Sequence, residues 1–498
     1  MRIAIRADAS IAMGIGHLQR CLSLAQALRN LKADVRFVTR DLGIQSAKMV
    51  SDRGFSQTVT LPAADEPFEP DPAIPHSSWA KVSQDRDADE TIRSLEEFGP
   101  DWLVVDHYAF DARWHDRVRD ALNCRIAVID DLADRAIHAD LLLDHNLAAD
   151  HGAKYAERIV GKPRILGGTR YALLAPAYAK APRYEFSRRV RSIGVFMGGS
   201  DAPNFSALAV DALVEARFDG PIEIVSTSAN PHLESLRERV QGLPNVTLSL
   251  DLPDLAAFFA RHDLQIGAGG GATWERCFIG VPTLLVIAAD NQNIVVPELA
   301  GRGIITAVDN PTPQRIAARL TALIDNPAER EELAAKARQT IDGFGAVRVG
   351  LSMLNDALSV RKATHEDASC LYEWRNAPEN RAMMTNPEEL AWDDHVAWLG
   401  RVLTDGKRLL LIGHVGKQDV GSIRFDFDEN KAAEVSIHLD PRFHGLGLGP
   451  KLLTAGETKS GASEFLATVL AENRPSQVLF ERGGYERTGA QDWRKIAQ

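Results

Sequence analysis

The beginning of the chain contains the pattern that most restricts its fold: an apolar strand, a glycine loop and an amphipathic helix. Residues 1–5 read MRIAI, and Leu and Ala recur at helical spacing over residues 18–31. Gly14 and Gly16 lie in the loop between these segments, and His17 follows directly. Free N–H groups and the helix dipole meet at a helix N-terminus, so the pattern predicts a strand–loop–helix unit that favours an anionic ligand.

His17 makes this loop a candidate reactive site. An unperturbed imidazole has a pKa of about 6.5, so a histidine is able to accept a proton near neutral pH. Two other interpretations stay open at this point. A dinucleotide-binding G-x-G-x-x-G motif would need glycine where the chain has Gln19. A βα turn in which His17 only caps the helix or packs against it would show the same spacing.

Length and composition restrict the class of protein. A chain of 498 residues is too long for one core and is expected to form three domains. Hydrophobic residues make up 45% and charged residues 25%, as in ordinary globular proteins. The formal net charge of −11 argues against nucleic acid or an anionic membrane as the main partner.

Cysteine usage and the first residues predict a cytoplasmic protein without a metal site. Four cysteines are scattered without ligand-like spacing, and we expect reduced thiols at Cys21, Cys124, Cys277 and Cys370. The first ten residues have no signal-peptide pattern, and no apolar run approaches the roughly 18 residues of a membrane span. The histidines of the first half show no H-E-x-x-H spacing, so we predict no metal there.

Residues 1–180 alternate between predicted strands and helices, which favours a parallel sheet covered on both faces. The predicted strands are residues 2–5, 34–38, 102–106 and 126–129. Residues 62–75 are rich in Pro, Asp and Glu and are expected to form a surface loop. Residues 106–108 (Asp-His-Tyr) and 130–131 (Asp-Asp) come at the ends of two strands, so they are either cleft residues or ordinary polar turns.

Residues 181–355 repeat the strand–loop–helix pattern. Predicted strands cover residues 192–197, 222–226, 246–248 and 264–266, a further strand is predicted within residues 280–286, and closing helices are predicted over 311–354. The glycines of residues 267–271 allow backbone N–H groups to hold a diphosphate at a helix start, unless the turn serves packing alone. Glu275 lies one turn into that helix, where its carboxylate is able to accept hydrogen bonds from a ribose diol. No G-x-x-x-x-G-K-[ST] motif is present, which excludes a P-loop nucleotide triphosphatase.

A third region begins near residue 359. Predicted strands cover residues 360–363, 408–414, 420–427 and 433–439, and Thr364 with Asp367 forms a possible helix cap. Arg442-x-x-Gly445-x-Gly447 then precedes a helical segment. Backbone amides of such a loop are able to bind a pyrophosphate at the helix N-terminus.

The N-terminal motif Arg6-x-Asp8-x-Ser10, followed by Gly14-x-Gly16-His17-x-x-Arg20, resembles the signature of the UDP-2,4-diacetamido-2,4,6-trideoxy-β-L-altropyranose hydrolases of pseudaminic acid biosynthesis. Residues 267–292 resemble the UDP-binding half of GT-B enzymes. The resemblance implies an α/β chain with two Rossmann-like domains, residues 1–180 and 181–355, in the GT-B arrangement. That architecture is similar to the N-acetylglucosaminyltransferase that makes lipid II.

The same resemblance implies a set of UDP-sugar contacts. They are Arg6, Gly14, Gly16, Arg20, Tyr108, Gly198, Gly199, Asp201, Gly270, Gly271, Thr273, Glu275, Asn291 and Gln292. The family usually has a small polar residue where this chain has His107, which leaves that contact open.

The C-terminal motif, with Asn473-x-x-Ser476 and Gly484-Tyr485 downstream, resembles a GNAT acetyltransferase. This resemblance implies an α+β domain over residues 359–498 that binds acetyl-CoA through Arg442, His444, Gly445, Leu446, Gly447, Leu448, Gly449 and Asn473. Residues 373–376 (Glu-Trp-Arg-Asn) and His395 resemble the branch that acetylates the 4-amino group of a UDP-linked dideoxy sugar. Phe480 stands where many of these enzymes have a tyrosine that serves as the general acid. Glu434 is either the base or a solvated strand residue.

Together the resemblances imply a bifunctional enzyme that acetylates a UDP-amino sugar and then hydrolyses the diacetamido sugar from UDP, with inversion and without a metal. In the expected hydrolysis His17 deprotonates the water that attacks the anomeric carbon, and Asp8 orients or charge-stabilises His17. Amides of the two glycine loops stabilise the leaving diphosphate. A glycosyltransferase, a 2-epimerase and a UDP-sugar sensor remain alternatives for the first two domains. For the third domain, an inactive interaction module remains an alternative.

Overall fold

The computed structural model describes residues 1–64, 67–287 and 292–497. The chain forms two compact units. The larger comprises Arg2–Ala27 and Asp34–Val349, and the smaller comprises Met1, Leu28–Ala33 and Gly350–Gln498. Both predicted Rossmann-like regions thus fall mainly within one unit, and the three domain boundaries stay predictions.

Seven parallel strands form the first sheet of the larger unit, in the order β3-β2-β1-β4-β5-β7-β9. The strands of this region are β1 (Arg2–Ala7), β2 (Asp34–Arg40), β3 (Thr58–Leu61), β4 (Trp102–Asp106), β5 (Arg125–Ile129), β6 (Ile137–His138), β7 (Leu141–Asp144), β8 (Ile159–Val160) and β9 (Arg164–Gly167). The helices are α1 (Gly16–Asn30), α2 (Ser46–Asp52), α3 (Gln84–Leu95), α4 (Ala112–Leu122) and α5 (His151–Tyr155). Short 3-10 helices cover Ser77–Ala80, Thr169–Tyr171 and Pro176–Lys180. Every residue of β4 is buried, as expected for a parallel strand covered on both faces.

The second sheet has six parallel strands in the order β12-β11-β10-β13-β14-β15. They are β10 (Ile193–Phe196), β11 (Ile222–Ser226), β12 (Val246–Leu250), β13 (Leu264–Ala268), β14 (Thr283–Val286) and β15 (Thr306–Val308). The helices are α6 (Phe205–Glu215), α7 (Leu233–Val240), α8 (Ala256–Ala260), α9 (Ala272–Ile279), α10 (Gln292–Gly301), α11 (Pro313–Asp325), α12 (Pro327–Thr340) and α13 (Gly345–Leu354). Separate apolar clusters pack on the two faces of this sheet.

The smaller unit contains a seven-stranded sheet in the order β16-β17-β18-β19-β20-β22-β21. Its strands are β16 (Ser359–Lys362), β17 (Arg408–Val415), β18 (Gln418–Phe427), β19 (Ala432–Leu439), β20 (Glu464–Thr468), β21 (Glu486–Arg487) and β22 (Asp492–Ile496). The helices are α14 (Ala368–Asn376), α15 (Pro378–Arg381), α16 (Trp392–Thr404), α17 (Leu448–Ser460) and α18 (Arg474–Arg482). Neighbouring strands are antiparallel except β19 and β20, which are parallel.

The predicted strands are all present. Where bounds were predicted, they differ from the observed ones by at most two residues at either end, and the strand predicted within residues 280–286 is β14. The predicted surface loop has no helix or strand at its described positions, 62–64 and 67–75. Ile74 is buried and anchors the end of this loop.

Two further properties concern the described part of the chain only. None of its helices is both long and apolar enough to span a bilayer. Within the same residues, no group of three or more His, Cys, Asp or Glu side chains is arranged to hold a metal ion.

Two arginines and two aspartates form a buried ion-pair network on one face of β1. Arg6 Nη2 donates to Asp87 Oδ2 at 2.7 Å and to Asp8 Oδ2 at 2.9 Å. Arg40 Nη2 donates to the same Asp87 oxygen at 2.8 Å, and the Arg40 backbone N–H donates to Asp8 at 2.7 Å. All four side chains are 0% exposed. Since these charges are removed from water, the stability of each ionised side chain depends on its partners in the network.

Replacing Asp87 with alanine is expected to lower the free energy for opening this sheet by about 3–5 kcal/mol, because Arg6 and Arg40 would lose a buried counter-charge. Hydrogen exchange of the β1 amides measures this opening without requiring the whole chain to unfold in one step. Asp85→Ala is the matched control in α3, because the Asp85 side chain is 76% exposed and lies 3.4 Å from Arg117. Equal exchange protection in the two variants would contradict the stabilising role of the network.

Candidate active site

Helix α1 begins at the carboxyl edge of the first sheet, where ligands of parallel sheets gather. Gly14, in the loop after β1, has a φ of +74°, and Gly16 is the first residue of α1. An ideal Cβ on either glycine would meet no atom within 4 Å. The loop therefore borders open space at a helix N-terminus, which suits an anionic group.

His17 lies in the first turn of α1 and is 7% exposed. Its Nδ1 is 2.6 Å from Oδ1 of Asp106, the last residue of β4. Because an ionised carboxylate only accepts hydrogen bonds, Nδ1 carries the hydrogen and Nε2 is the nitrogen able to take a proton. This is the arrangement of a histidine base oriented by a carboxylate.

Arg20 keeps the orienting carboxylate ionised. Its Nε donates to Asp106 Oδ2 at 2.6 Å, and its Nη2 donates to Oδ1 at 2.7 Å. Burial raises the pKa of Asp106, but Arg20 and His17 lower it by more, so this pKa lies well below its usual range. Asp106 is therefore an anion at neutral pH.

Asp131 and Tyr108 complete the group of residues that we call the His17 cluster: His17, Arg20, Asp106, Tyr108 and Asp131. Asp131 Oδ1 accepts a short hydrogen bond from the Tyr108 hydroxyl, and its Oδ2 is 3.4 Å from Arg20 Nη1. The Tyr108 and His17 rings meet edge to face with centroids 4.6 Å apart. The structure thus brings together three predicted site residues, His17, Arg20 and Tyr108. It joins them to Asp106 and Asp131, for which the sequence left open a cleft position or a polar turn.

Arg6 and Asp8 do not line this cleft, in contrast to the prediction. Both side chains are 0% exposed and pair with each other, and Arg6 also pairs with Asp87 in the buried network. The carboxylate that orients His17 is Asp106, so the role predicted for Asp8 belongs to Asp106. Side chains alternate along an extended chain, so Arg6 and Asp8, which directly follows β1, point to the same side. Both side chains are buried on that side.

Two aromatic side chains beside the His17 cluster were missed by the sequence analysis. Trp79 lies in the 3-10 helix Ser77–Ala80, with its ring centroid 6.2 Å from that of His17 and 5.8 Å from that of Tyr108. The His76 ring is 4.5 Å from Trp79. His76 and Trp79 follow the surface loop at residues 62–75. The composition of that loop does not indicate that the side chains after it lie beside the sheet.

The glycine turn predicted to hold a diphosphate lies between β13 and α9. Ideal Cβ atoms on Gly270 and Gly271 would meet no atom within 4 Å, so the turn borders open space. Thr273 is 1% exposed, and its hydroxyl donates to the Ala268 carbonyl at 3.4 Å. The Thr273 side chain therefore supports the turn from inside, where the prediction had it contacting a ligand.

Glu275 is the ionisable side chain of this turn and is partly buried in the first turn of α9. Burial raises its pKa to about 7, and the neighbouring Tyr178 and Arg276 lower it by less. Gln292 Oε1 accepts the backbone N–H of residue 269 at 3.0 Å and so braces the turn. Asn291, also predicted as a contact, lies outside the described residues.

The glycines after β10 face the loop that precedes His17. Gly198 has a φ of +105°, and an ideal Cβ on Gly199 would lie 3.4 Å from Ile15 Cδ1. Asp201 caps α6, since its carboxylate accepts the backbone N–H groups of residues 205 and 206 at 2.8 and 2.9 Å. The Asp201 oxygens thus bond within the chain, whereas the prediction had them contacting the nucleotide sugar.

In the smaller unit, β19 and β20 pair only over their first residues. The last pair is Glu434 with Leu466, and β19 continues beyond it toward the predicted acetyl-CoA loop. In that loop Gly445 and Gly447 have φ values of +80° and +77°, and α17 begins directly after Gly447. The separated strand ends, the glycine loop and the helix N-terminus fit the pyrophosphate of acetyl-CoA.

The side chains of this loop offer fewer contacts to a ligand than its backbone does. Leu446 and Leu448 are 0% and 1% exposed, and the helix residue Gly449 is buried, whereas Gly445 and Gly447 are exposed. Arg442 Nε donates to Asp440 Oδ1 at 2.9 Å, and His444 is half-buried.

Other predicted residues of the smaller unit have structural partners. Asn473 caps α18 by accepting the Ser476 backbone N–H at 3.1 Å. Phe480 is 3% exposed and packs against Tyr485 with ring centroids 4.8 Å apart, so it belongs to the core. Glu434 is exposed and lines a surface pocket of about 380 Å³.

Comparison with known families identifies the C-terminal region. Residues 357–486 match the family described as Acetyltransferase (GNAT) domain. This segment includes β19, the glycine loop and α17. The C-terminal region is therefore a GNAT acetyltransferase domain.

Two curated proteins are similar to larger parts of the chain. An uncharacterized protein of Methanocaldococcus jannaschii is 22% identical over 98% of this chain and 97% of its own length. The spore coat polysaccharide biosynthesis protein SpsG of Bacillus subtilis is 23% identical over 70% of this chain and 96% of its own length.

A solved structure supports the fold of the larger unit. The glycotransferase of kitacinnamycin has a TM-score of 0.50 and 17% identity to this chain, and the match covers 70% of this chain and 97% of that one. At this identity the likeness concerns the fold alone. Together with the two parallel sheets and the GNAT domain, it confirms the predicted class: an α/β chain with a GT-B-like fold and a C-terminal GNAT domain.

Proposed function

We propose that the larger unit hydrolyses UDP-2,4-diacetamido-2,4,6-trideoxy-β-L-altropyranose and that the GNAT domain acetylates its 4-amino precursor. The observation that carries the proposal is the pair of His17 and Asp106, 2.6 Å apart at the N-terminus of α1. The similarity to SpsG, named for polysaccharide biosynthesis, supports a role with an activated sugar.

The proposed hydrolysis needs one base and stabilisation of one leaving group. His17 Nε2 accepts a proton from water as the water oxygen forms a bond to the anomeric carbon. The bond from that carbon to the diphosphate oxygen breaks, and its electron pair leaves with UDP. The imidazolium that forms is stabilised by Asp106, and backbone N–H groups of the glycine loops stabilise the charge on the departing diphosphate.

In this proposal the UDP moiety binds at the N-terminus of α9. Gly270 and Gly271 leave the space that a diphosphate needs, and Glu275 accepts hydrogen bonds from the ribose diol. The affinity for UDP then depends on the ionisation of Glu275.

The affinity for UDP is expected to rise about tenfold between pH 6 and pH 8, because Glu275, with a pKa of about 7, is mostly protonated at the lower pH. The ribose hydroxyls donate to the carboxylate, so binding favours the ionised form and weakens as the pH falls through that pKa. Calorimetric titration at several pH values measures the effect. Glu275→Gln is the control, since it retains any pH dependence that belongs to the nucleotide. The same pH dependence in both proteins would contradict the assignment.

For the GNAT domain we propose Glu434 as the base, acting directly or through water. The sugar amine nitrogen attacks the thioester carbonyl of acetyl-CoA, its proton passes to Glu434, and CoA leaves as the thiolate. The exposed position of Glu434 where β19 and β20 separate supports this role.

Incubation of the 4-amino UDP-sugar with and without acetyl-CoA tests both activities. With acetyl-CoA we expect the acetylated UDP-sugar first, then UDP and the free sugar. Without acetyl-CoA we expect an unchanged substrate. UDP release only with an added sugar acceptor would favour a glycosyltransferase, a 2-epimeric product would favour an epimerase, and binding without turnover would favour a sensor. Absence of acetylation would favour an inactive GNAT module.

A further inference from the structure

One asparagine lies between the helix α9 and the His17 cluster. Asn146 follows β7, and its Oδ1 accepts the indole N–H of Trp274 at 3.2 Å. Its Nδ2 donates to Asp131 Oδ2 at 3.1 Å. Trp274 directly precedes Glu275 in α9, whereas Asp131 belongs to the His17 cluster. Two hydrogen bonds thus connect the proposed nucleotide helix with the proposed catalytic group.

The connection continues without a break to the base. Asp131 Oδ2 is 3.4 Å from Arg20 Nη1, and Arg20 donates through Nε to Asp106 at 2.6 Å. Asp106 in turn contacts His17 Nδ1 at 2.6 Å. Each member of this path is a charged or strongly polar group with fixed donors and acceptors, so its geometry depends on the position of the next.

The chemistry of the two neighbours requires a side chain at position 146 that both accepts and donates a hydrogen bond. An indole N–H only donates, and an ionised carboxylate only accepts, so the residue between them must offer one acceptor and one donor. Asparagine has both on one short side chain. Aspartate would place a second carboxylate beside Asp131, and leucine would bond to neither. The backbone of Asn146 is also held, because its N–H donates to Asp144 Oδ1 at 3.0 Å.

We infer that Asn146 is a positioning residue that couples the nucleotide helix α9 to the orientation of His17. This inference rests on the proposed function, since it takes α9 as the UDP site and His17 as the base. When UDP settles against α9, Trp274 fixes the amide of Asn146. The amide then fixes Asp131, Arg20 and Asp106, so the bound nucleotide stabilises the aligned position of the base.

Kinetics of Asn146→Leu, Trp274→Phe and the double variant test this coupling. The first removes both hydrogen bonds, and the second removes only the indole donor. Each single variant is expected to lower kcat roughly 10- to 100-fold through misalignment of the base, with the Kd for UDP changed less than about twofold. The double variant is expected to lose no more than the stronger single one, because both act on one path. Asn245→Leu is the matched control: Asn245 is also half-buried and donates to two carbonyls, at 3.1 and 3.0 Å, but directly precedes β12 in the second sheet.

A second readout separates this inference from the proposed function. In protein labelled with 13C-histidine, the His17 ring signal is assigned by its loss in His17→Ala. Addition of UDP is expected to shift that signal in the wild type and not in Asn146→Leu. If the shift behaves so but no hydrolysis occurs, the coupling holds and the proposed reaction is wrong. An equal shift in both proteins, or wild-type kcat in Asn146→Leu, would overturn the coupling.

Discussion

Replacement of His17 by alanine is expected to lower the hydrolysis rate about 10²- to 10⁴-fold, the contribution of a positioned general base. The expectation rests on the bond between Nδ1 and Asp106, which leaves Nε2 as the proton acceptor next to the open glycine loop. In the proposal the UDP moiety binds at α9. The variant should therefore bind UDP with a Kd within about twofold of the wild type.

The measurement is kcat for release of UDP, together with a calorimetric Kd for UDP. The control is His138→Ala, because His138 also pairs with an aspartate, Asp116, with Nδ1 and Oδ1 2.5 Å apart, but lies in β6. That variant should keep wild-type kcat. If His17→Ala kept most of the rate, another group would have to activate the water.

Replacement of Asp106 by asparagine is expected to lower kcat by a similar factor, about 10²- to 10⁴-fold, with little change of shape. An amide is able to donate to Nδ1 of His17, which would place the ring hydrogen on Nε2 and remove the base. The substitution also removes the charge that stabilises the imidazolium and that pairs with Arg20 at 2.6 Å.

The kcat of this variant is compared with that of Asp116→Asn, which makes the same change in the pair of His138 and Asp116. Retained UDP binding shows that Asp106→Asn has folded. A fall in UDP affinity that matches the loss of kcat would mean that Asp106 supports binding and not the base. Wild-type kcat would mean that His17 acts without its carboxylate.

Much of the fold was predictable because the signals are local. Strands such as β4 and β11 are short apolar runs followed by a turn and a helix, and their bounds were predicted without error. The strands without a prediction in the larger unit are β3, β6, β7, β8, β9 and β15, of two to four residues each. Runs of this length carry too little periodicity to separate them from loops.

The candidate site was predictable where one segment carries it and not where distant segments meet. His17, Arg20 and the glycine loop belong to one strand–loop–helix unit. Asp106 is 89 residues from His17 in the chain, and only the pairing of β1 with β4 makes it the partner. Its place at the end of a strand predicted only a cleft residue or a polar turn.

The error over Arg6 and Asp8 has a physical cause. The residues of β1 from position 3 onward are buried, so apolar character does not distinguish the face toward the cleft from the face toward the helices. A resemblance gives the residue type at a position and not the direction of its side chain. In this chain the Arg6 side chain bonds to Asp87, and the Asp8 carboxylate pairs with Arg6 and His107.

The residues that cap or brace were also outside the reach of sequence patterns. Asp201 and Asn473 stand at helix starts, where the same side chain serves a ligand or the helix equally well. No sequence pattern indicated Asn146, because its proposed role depends on Asp131 and Trp274, which contact it only in the folded chain.

Hydrolysis in water labelled with 18O tests the central claim most directly. We predict that the free sugar carries the label on its anomeric oxygen and that UDP carries none, because water attacks carbon and the bond from carbon to the diphosphate oxygen breaks. Mass spectrometry of both products gives the answer in one experiment. Label on the phosphate of UDP would mean attack at phosphorus, and would contradict the role proposed for His17.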